Sequence, residues 1–120
     1  MSPKPRPADC CAAPTPPAEL PAAERDRLVA VFRALGDPTR FEMFRLIAAQ
    51  TAPICVCDVV DRFELSQPTI SHHLKVLREA GLLTVSRRGV WAYYAADPRG
   101  LAPVRESLEG LAPARLAEAG

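Results

Sequence analysis

Leu28, Val31, Phe32 and Leu35 recur at i, i+3, i+4 and i+7, the spacing that lines one face of a helix. That pattern predicts a first helix from Ala22, stopped at Gly36. Asp37-Pro38 then pairs a good N-cap with proline at the first helical position. The second helix it opens carries Phe41, Phe44, Ile47 and Ala48 on one side. A third, short helix is expected after Pro53, because Val56, Val59, Val60 and Phe63 repeat the same spacing. Ser66 is the next N-cap, Pro68 is tolerated in a first turn, and Leu65 and Ile70 stand where a hydrophobic staple would close. Ile70, Leu74 and Leu77 form the buried stripe of this fourth helix, and Gly81 ends it. A short helix, a tight turn and a longer helix in series make a helix-turn-helix.

Past Gly81 the texture changes to β-branched and aromatic residues around Arg88-Gly89. This predicts a two-stranded hairpin, Leu83–Arg87 and Val90–Ala95, with Trp91, Tyr93 and Tyr94 as strand core. A last helix is expected from Leu101 to just before Pro113, striped by Leu101, Val104, Leu108 and Leu111. The fold class is therefore mainly α with a small β-hairpin, a winged helix-turn-helix. Residues 22–112 form its single domain, and residues 113–120 a C-terminal tail. Residues 1–21 hold seven of the thirteen prolines and read as a flexible, Pro-rich tail that carries Cys10 and Cys11.

Composition narrows the function. With 48% apolar and 24% charged residues the chain is an ordinary soluble globular type. No apolar stretch approaches the ~20 residues of a membrane span, and no signal-peptide core precedes the domain. The expected location is the cytoplasm, where thiols stay reduced.

A net charge of +1 says nothing about partners, but its distribution does. Between Ser66 and Ala95, Lys75, Arg78, Arg87 and Arg88 face Glu79 alone. Turning about 100° per residue from Ile70 sends His72 and Lys75 outward with Thr69 beside them, and puts Gln67 and Ser71 on a flank. Gln67, Thr69, Ser71 and His72 are candidates for base or phosphate contact on double-stranded DNA, and Lys75 for phosphate. Arg87 and Arg88, at the hairpin tip, would be the wing's phosphate or minor-groove contacts. His73 leans inward and should pack with a local hydrogen bond. The competing reading is a helical bundle whose polar face meets only water.

Cys55 and Cys57 stand one residue apart in "ICVCDVV". Two thiols there are core filler, a redox pair or half of a metal site. If both were helical they would point roughly 200° apart, so they share an ion only where the first turn is irregular. A helix N-terminus and neighbouring arginines should lower their pKa. No cysteine has a candidate base and orienting partner, and no phosphate loop or carboxylate pair appears, so an enzyme is not expected.

The stretches "ALGDPTRFEMFRLI", "CVCD", "LSQPTISHHLKVLREAGLL" and "RRGVWAYY" together resemble the ArsR/SmtB family of metal-sensing winged-helix repressors. The likeness covers roughly Ala22 to Leu111. It implies a homodimeric repressor on an inverted-repeat operator, released when a metal or metalloid binds, with the first and last helices as dimer interface. Arsenite- and cadmium/lead-responsive members carry a Cys-x-Cys-Asp motif, matched by Cys55, Cys57 and Asp58. A common arsenic pattern adds a third cysteine where this chain has Val60. Other members complete the site with N-terminal cysteines, an arrangement that Cys10 and Cys11 match.

Soft thiolates select soft ions. As(III), with Sb(III) as its mimic, takes three thiolates, which fits Cys10, Cys11 and Cys55, with Cys57 as a further candidate. Cd(II) or Pb(II) would use all four. At about 3.3 Å per residue the segment from Cys11 to Glu24 spans about 40 Å, enough to reach the third helix of its own chain or its partner's. Zinc sensors of the family bind between the last helices through Asp and His, and the only histidines here are His72 and His73. A thiol-redox switch of the same repressor is the remaining alternative.

Overall fold

A computed structural model describes residues 4, 5 and 13–113. Cys10 and Cys11 lie outside the described residues.

Helix α1 runs Ala22–Leu35 and α2 Pro38–Ala48, separated by Gly36-Asp37. Asp37 caps α2 as expected, its carboxylate accepting the Arg40 N–H at 3.0 Å. The Arg40 side chain turns back to the preceding helix. Its Nε donates to the Ala34 carbonyl at 2.8 Å and its Nη2 to that of Arg33 at 3.2 Å. One arginine thus bonds two carbonyls at the end of α1, that of Arg33 being shared with the Gly36 N–H.

Helix α4, Gln67–Glu79, is capped by Ser66, whose Oγ accepts the Thr69 N–H at 3.4 Å. It ends as its sequence predicts. Gly81 takes φ +83°, its N–H donates to the Arg78 carbonyl, and the Leu82 N–H donates to Leu77 at 3.1 Å. Ile70, Leu74 and Leu77 are fully buried with Met43, Ile47, Val59 and Leu82. Removing one such Leu side chain would cost about 2–5 kcal/mol. The recognition element is therefore anchored along its whole inner face.

The sheet has one strand more than the hairpin. β1 (Ile54–Cys55) precedes α3 (Val56–Arg62), and β2 (Leu83–Arg88) and β3 (Trp91–Ala96) follow α4, in the antiparallel order β1-β3-β2. A two-residue strand carries no periodicity, so the third helix was expected directly after Pro53. The hairpin strands sit one residue later at their inner ends than expected. A two-residue loop joins them, with Gly89 at φ +63° and Val90 at negative φ, the pattern of a type II′ turn. Helix α5 spans Ala102–Gly110.

Several apolar positions face differently from the expected stripes. Phe32 and Phe41 are 44% and 45% exposed, and Ala48 is also exposed. Ala34 and Met43 fill the core in their place. On α5 only Val104 is buried, leaving Leu101, Leu108 and Leu111 at the surface. Trp91, expected in the strand core, is 52% exposed because its side of β3 is the outer face of the sheet. No helix among the described residues is long and apolar enough to cross a membrane.

Candidate functional site

Gln67, Ser71, Lys75 and Arg78 follow one another along a single flank of α4. Together with Arg87 and Val90 of the hairpin they line a groove floored by Ala92 and Tyr94. Three cations border this groove: Lys75, Arg78 and Arg87. Lys75 Nζ lies 3.9 Å from the Glu79 carboxylate in an exposed pair, an interaction weak enough to yield to a phosphate. Thr69 and His72 are exposed as expected, though the Thr69 hydroxyl is engaged with Ser66 Oγ at 2.9 Å. His73 is half-buried, and its partner is not local. Arg40 Nη1 lies 3.4 Å from His73 Nδ1. Arginine only donates, so this nitrogen accepts.

The hairpin register separates the two wing arginines. Arg87 stands opposite Ala92, on the inner face with Leu83, Val85 and Tyr94. Arg88 stands opposite Trp91 on the outer face, and its guanidinium sits 4.7 Å from the centre of the Tyr93 ring. One arginine therefore belongs to the groove beside α4, and the other to an exposed aromatic patch. Sequence alone treated them as one basic tip.

The thiol pair occupies the junction of β1 and α3. Cys55 is 7% exposed and stands before α3 as its N-cap, with extended backbone, φ −65° and ψ 141°, so the two cysteines are not both helical and the opposed directions of two helical residues do not apply. Its Sγ caps α3, accepting the Cys57 N–H at 3.4 Å. Cys57 is half-buried, with the Cys55 thiol beside it. That contact, together with burial and the nearby Cys55 and Asp58 charges, raises the Cys57 pKa above the ordinary value of 9.0. The expected lowering is thus reversed for Cys57. The groups beside it are anionic or thiol, and the start of a seven-residue helix does not outweigh them. The donors are soft and adjacent. Among the described residues no three His, Cys, Asp or Glu side chains come together as a metal cluster.

Arg78, Arg40 and Tyr93 were not among the predicted site residues. The i, i+4 spacing of Gln67, Ser71 and Lys75 could have drawn in Arg78, one turn further along the same flank. The contact of Arg40 with His73 spans thirty-three positions, and that of Tyr93 with Arg88 depends on the hairpin register, so neither left such a signal.

Residues 37–85 match the model of the bacterial regulatory protein, arsR family. The chain is 40% identical over 79 residues to the arsenic resistance transcriptional regulator ArsR2 of Pseudomonas putida, covering 66% of this chain and 68% of that one. The chain belongs to the ArsR family. It is also 40% identical over 75 residues to an uncharacterized HTH-type regulator of Methanocaldococcus jannaschii, 62% of this chain and 83% of that protein. Against the arsenic resistance regulator ArsR1 of Pseudomonas putida it is 50% identical over 68 residues, 57% of its length and 52% of the relative's. The chain thus spans about half the length of that relative. Among solved structures, an ArsR-like regulator from Rhodococcus sp. RHA1 superposes with a TM-score of 0.66 at 27% identity, over 75% of this chain and 83% of that one. As a member of this family the chain is a DNA-binding transcriptional regulator of winged helix-turn-helix form, not an enzyme.

Proposed function

We propose that this ArsR-family chain is a cytoplasmic repressor that binds an inverted-repeat operator as a homodimer and leaves it when As(III), or its mimic Sb(III), is bound by cysteine thiolates. The observation that carries this reading is the contact between Cys55 and Cys57 at the start of α3, the first helix of the helix-turn-helix. Two soft donors stand where an ion pulls directly on the support of the recognition helix. Cys10 and Cys11 supply the remaining sulfur, from the same chain or its partner. Relatives named for arsenic resistance support the choice of ion.

Gln67, Ser71, His72 and Thr69 meet base edges or phosphates, Lys75 meets phosphate, and Arg87 and Arg88 meet phosphates or the minor groove. Arg78 joins them from the groove. The exposed Leu101, Leu108 and Leu111 of α5, with Val29 and Phe32 of α1, are the apolar surface available to a second copy. A dimer places two recognition helices about one helical turn of DNA apart, roughly 34–36 Å.

The test uses a labelled duplex selected by the full chain from a random-sequence pool. Apo protein should bind it, and arsenite should release it. Cys55→Ser should bind and ignore arsenite, and the Cys10→Ser/Cys11→Ser double variant should lose the response. Unchanged affinity in arsenite sinks the sensor. Release by Cd(II) or Pb(II) alone transfers the site to those ions, and release by peroxide that dithiothreitol reverses makes it a redox switch.

A further inference from the structure

Directly opposite Cys55 in the sheet register stands Tyr93. Residues opposite one another on antiparallel strands project from the same face, with Cβ atoms about 4.5–5.5 Å apart. Ser86 completes the row on the far side, and Arg88, two residues further along β2, lies over the Tyr93 ring at 4.7 Å. One continuous surface therefore runs from the thiol pair to a wing arginine: Cys55, Tyr93, Arg88. Trp91 is on the same face, two residues before Tyr93.

We propose that Tyr93 is a positioning residue that couples the thiol pair to the wing, so that an ion bound at Cys55 withdraws Arg88 from DNA. This rests on the proposed soft-ion site and adds a second route of release beside the recognition helix. Three features support it. First, Cys55 is only 7% exposed, so an ion reaches its sulfur only if the residues around it give way. Second, β1 is two residues long and held to β3 through Ile54 and Cys55 alone, so a pull on Cys55 acts on half of that strand. Third, Arg88 is seated on the ring itself, and a tilt of the ring moves the guanidinium with it. The inner-face arginine, Arg87, has no such link to the thiols, so the two wing arginines divide the work: Arg87 holds the groove, and Arg88 answers the ion.

Trp91 is the chain's one tryptophan and reports on this surface without any DNA present. The full chain is titrated with arsenite while arsenic–thiolate absorbance in the near ultraviolet counts loading and Trp91 emission is followed. Operator affinity is measured on the selected duplex with and without arsenite. In the parent and in Tyr93→Phe, emission shifts in step with loading. Tyr93→Val should load arsenite as the parent does, lose the emission shift, and show an arsenite-induced loss of affinity smaller by about fivefold or more, the low end of ordinary coupling. Arg88→Gln keeps the ring in place. It should retain the emission shift, bind the duplex more weakly, and lose less affinity on loading. A parent whose emission stays still while arsenite loads overturns the coupling, as does a Tyr93→Val or Arg88→Gln chain that releases with the parent's ratio. Loading and release that persist in those variants leave the sensor intact and remove only Tyr93's role. A parent that takes up no arsenite removes both.

Discussion

Arg40 joins three helices through His73: its guanidinium lies 3.4 Å from His73 Nδ1 on α4 while bonding the Ala34 and Arg33 carbonyls of α1. The arginine sits in the first turn of α2, held there by Asp37. The recognition helix is thereby oriented by a polar contact as well as by its apolar face. Arg40→Met keeps most of the stem and removes every donor. It should lower stability by about 1–3 kcal/mol, the range for lost hydrogen bonds from a charged group. Urea unfolding checks this. His73→Phe should recover none of the loss, because the Ala34 carbonyl still lacks the Arg40 donor.

Two glycines that meet behind α4 should respond differently to alanine. A Cβ on Gly100 would lie 2.6 Å from the Gly81 carbonyl oxygen, with the Leu82 Cα at 3.1 Å. Both neighbours are backbone and cannot swing away, so Gly100→Ala should cost about 1–3 kcal/mol as overpacking does. Gly81 has open space around it but sits at φ +83°, so Gly81→Ala meets only conformational strain, about 1–2 kcal/mol. Thermal unfolding of the two variants should rank them in that order. Equal losses would mean that the close approach relaxes freely.

Acid stability should depend on Asp37 and Asp97. The Arg40 N–H holds the Asp37 carboxyl below its ordinary 3.8, with the Arg40 charge adding to it. The Arg99 N–H does the same for Asp97, helped by the Arg99 side chain. A carboxyl whose folded pKa is lowered binds fewer protons folded than unfolded. Its contribution is therefore complete above about pH 3.8–3.9 and is lost as pH falls through the lower folded value. Asp97→Asn should flatten the acid limb of stability against pH while leaving the slope near neutrality unchanged. A steeper acid limb in the variant would contradict the assignment.

The recognition helix was legible because everything that defines it is local. Ser66 caps, Ile70, Leu74 and Leu77 bury, and Gly81 stops, all within sixteen residues. The hairpin was legible for the same reason. Phe32 and Phe41 misled because helical spacing marks an apolar face without saying what covers it. The folded chain gives the core to Ala34 and Met43 and leaves the rings outside. At the thiol pair the motif was visible, yet its chemistry was not. The raised Cys57 pKa comes from a thiol neighbour held by β1, and a strand of two residues has no pattern to find. The opposite faces of Arg87 and Arg88 follow from register, which depends on a turn placed one residue later than expected.

The groove cations make the last prediction quantitative. Each side chain that neutralises a phosphate displaces counterions, so the slope of log affinity against log salt shrinks by about 0.9 per contact removed. Lys75, Arg78 and Arg87 border the groove between α4 and the hairpin, so alanine at each should lower the slope by about that amount. Glu79 works the other way. Its carboxylate is 3.9 Å from Lys75 Nζ and competes with phosphate for the same ammonium. Glu79→Gln frees Lys75 and removes a negative charge beside DNA, so it should raise affinity at every salt concentration, most at low salt where screening is weakest. Fluorescence anisotropy on the selected duplex across a salt series measures all four variants. If Arg78→Ala keeps the parent slope while Arg87→Ala loses it, DNA touches the wing side of the groove and not the end of α4. If Glu79→Gln weakens binding, Lys75 needs its carboxylate to be positioned, and the pair is part of the interface instead of a competitor to it.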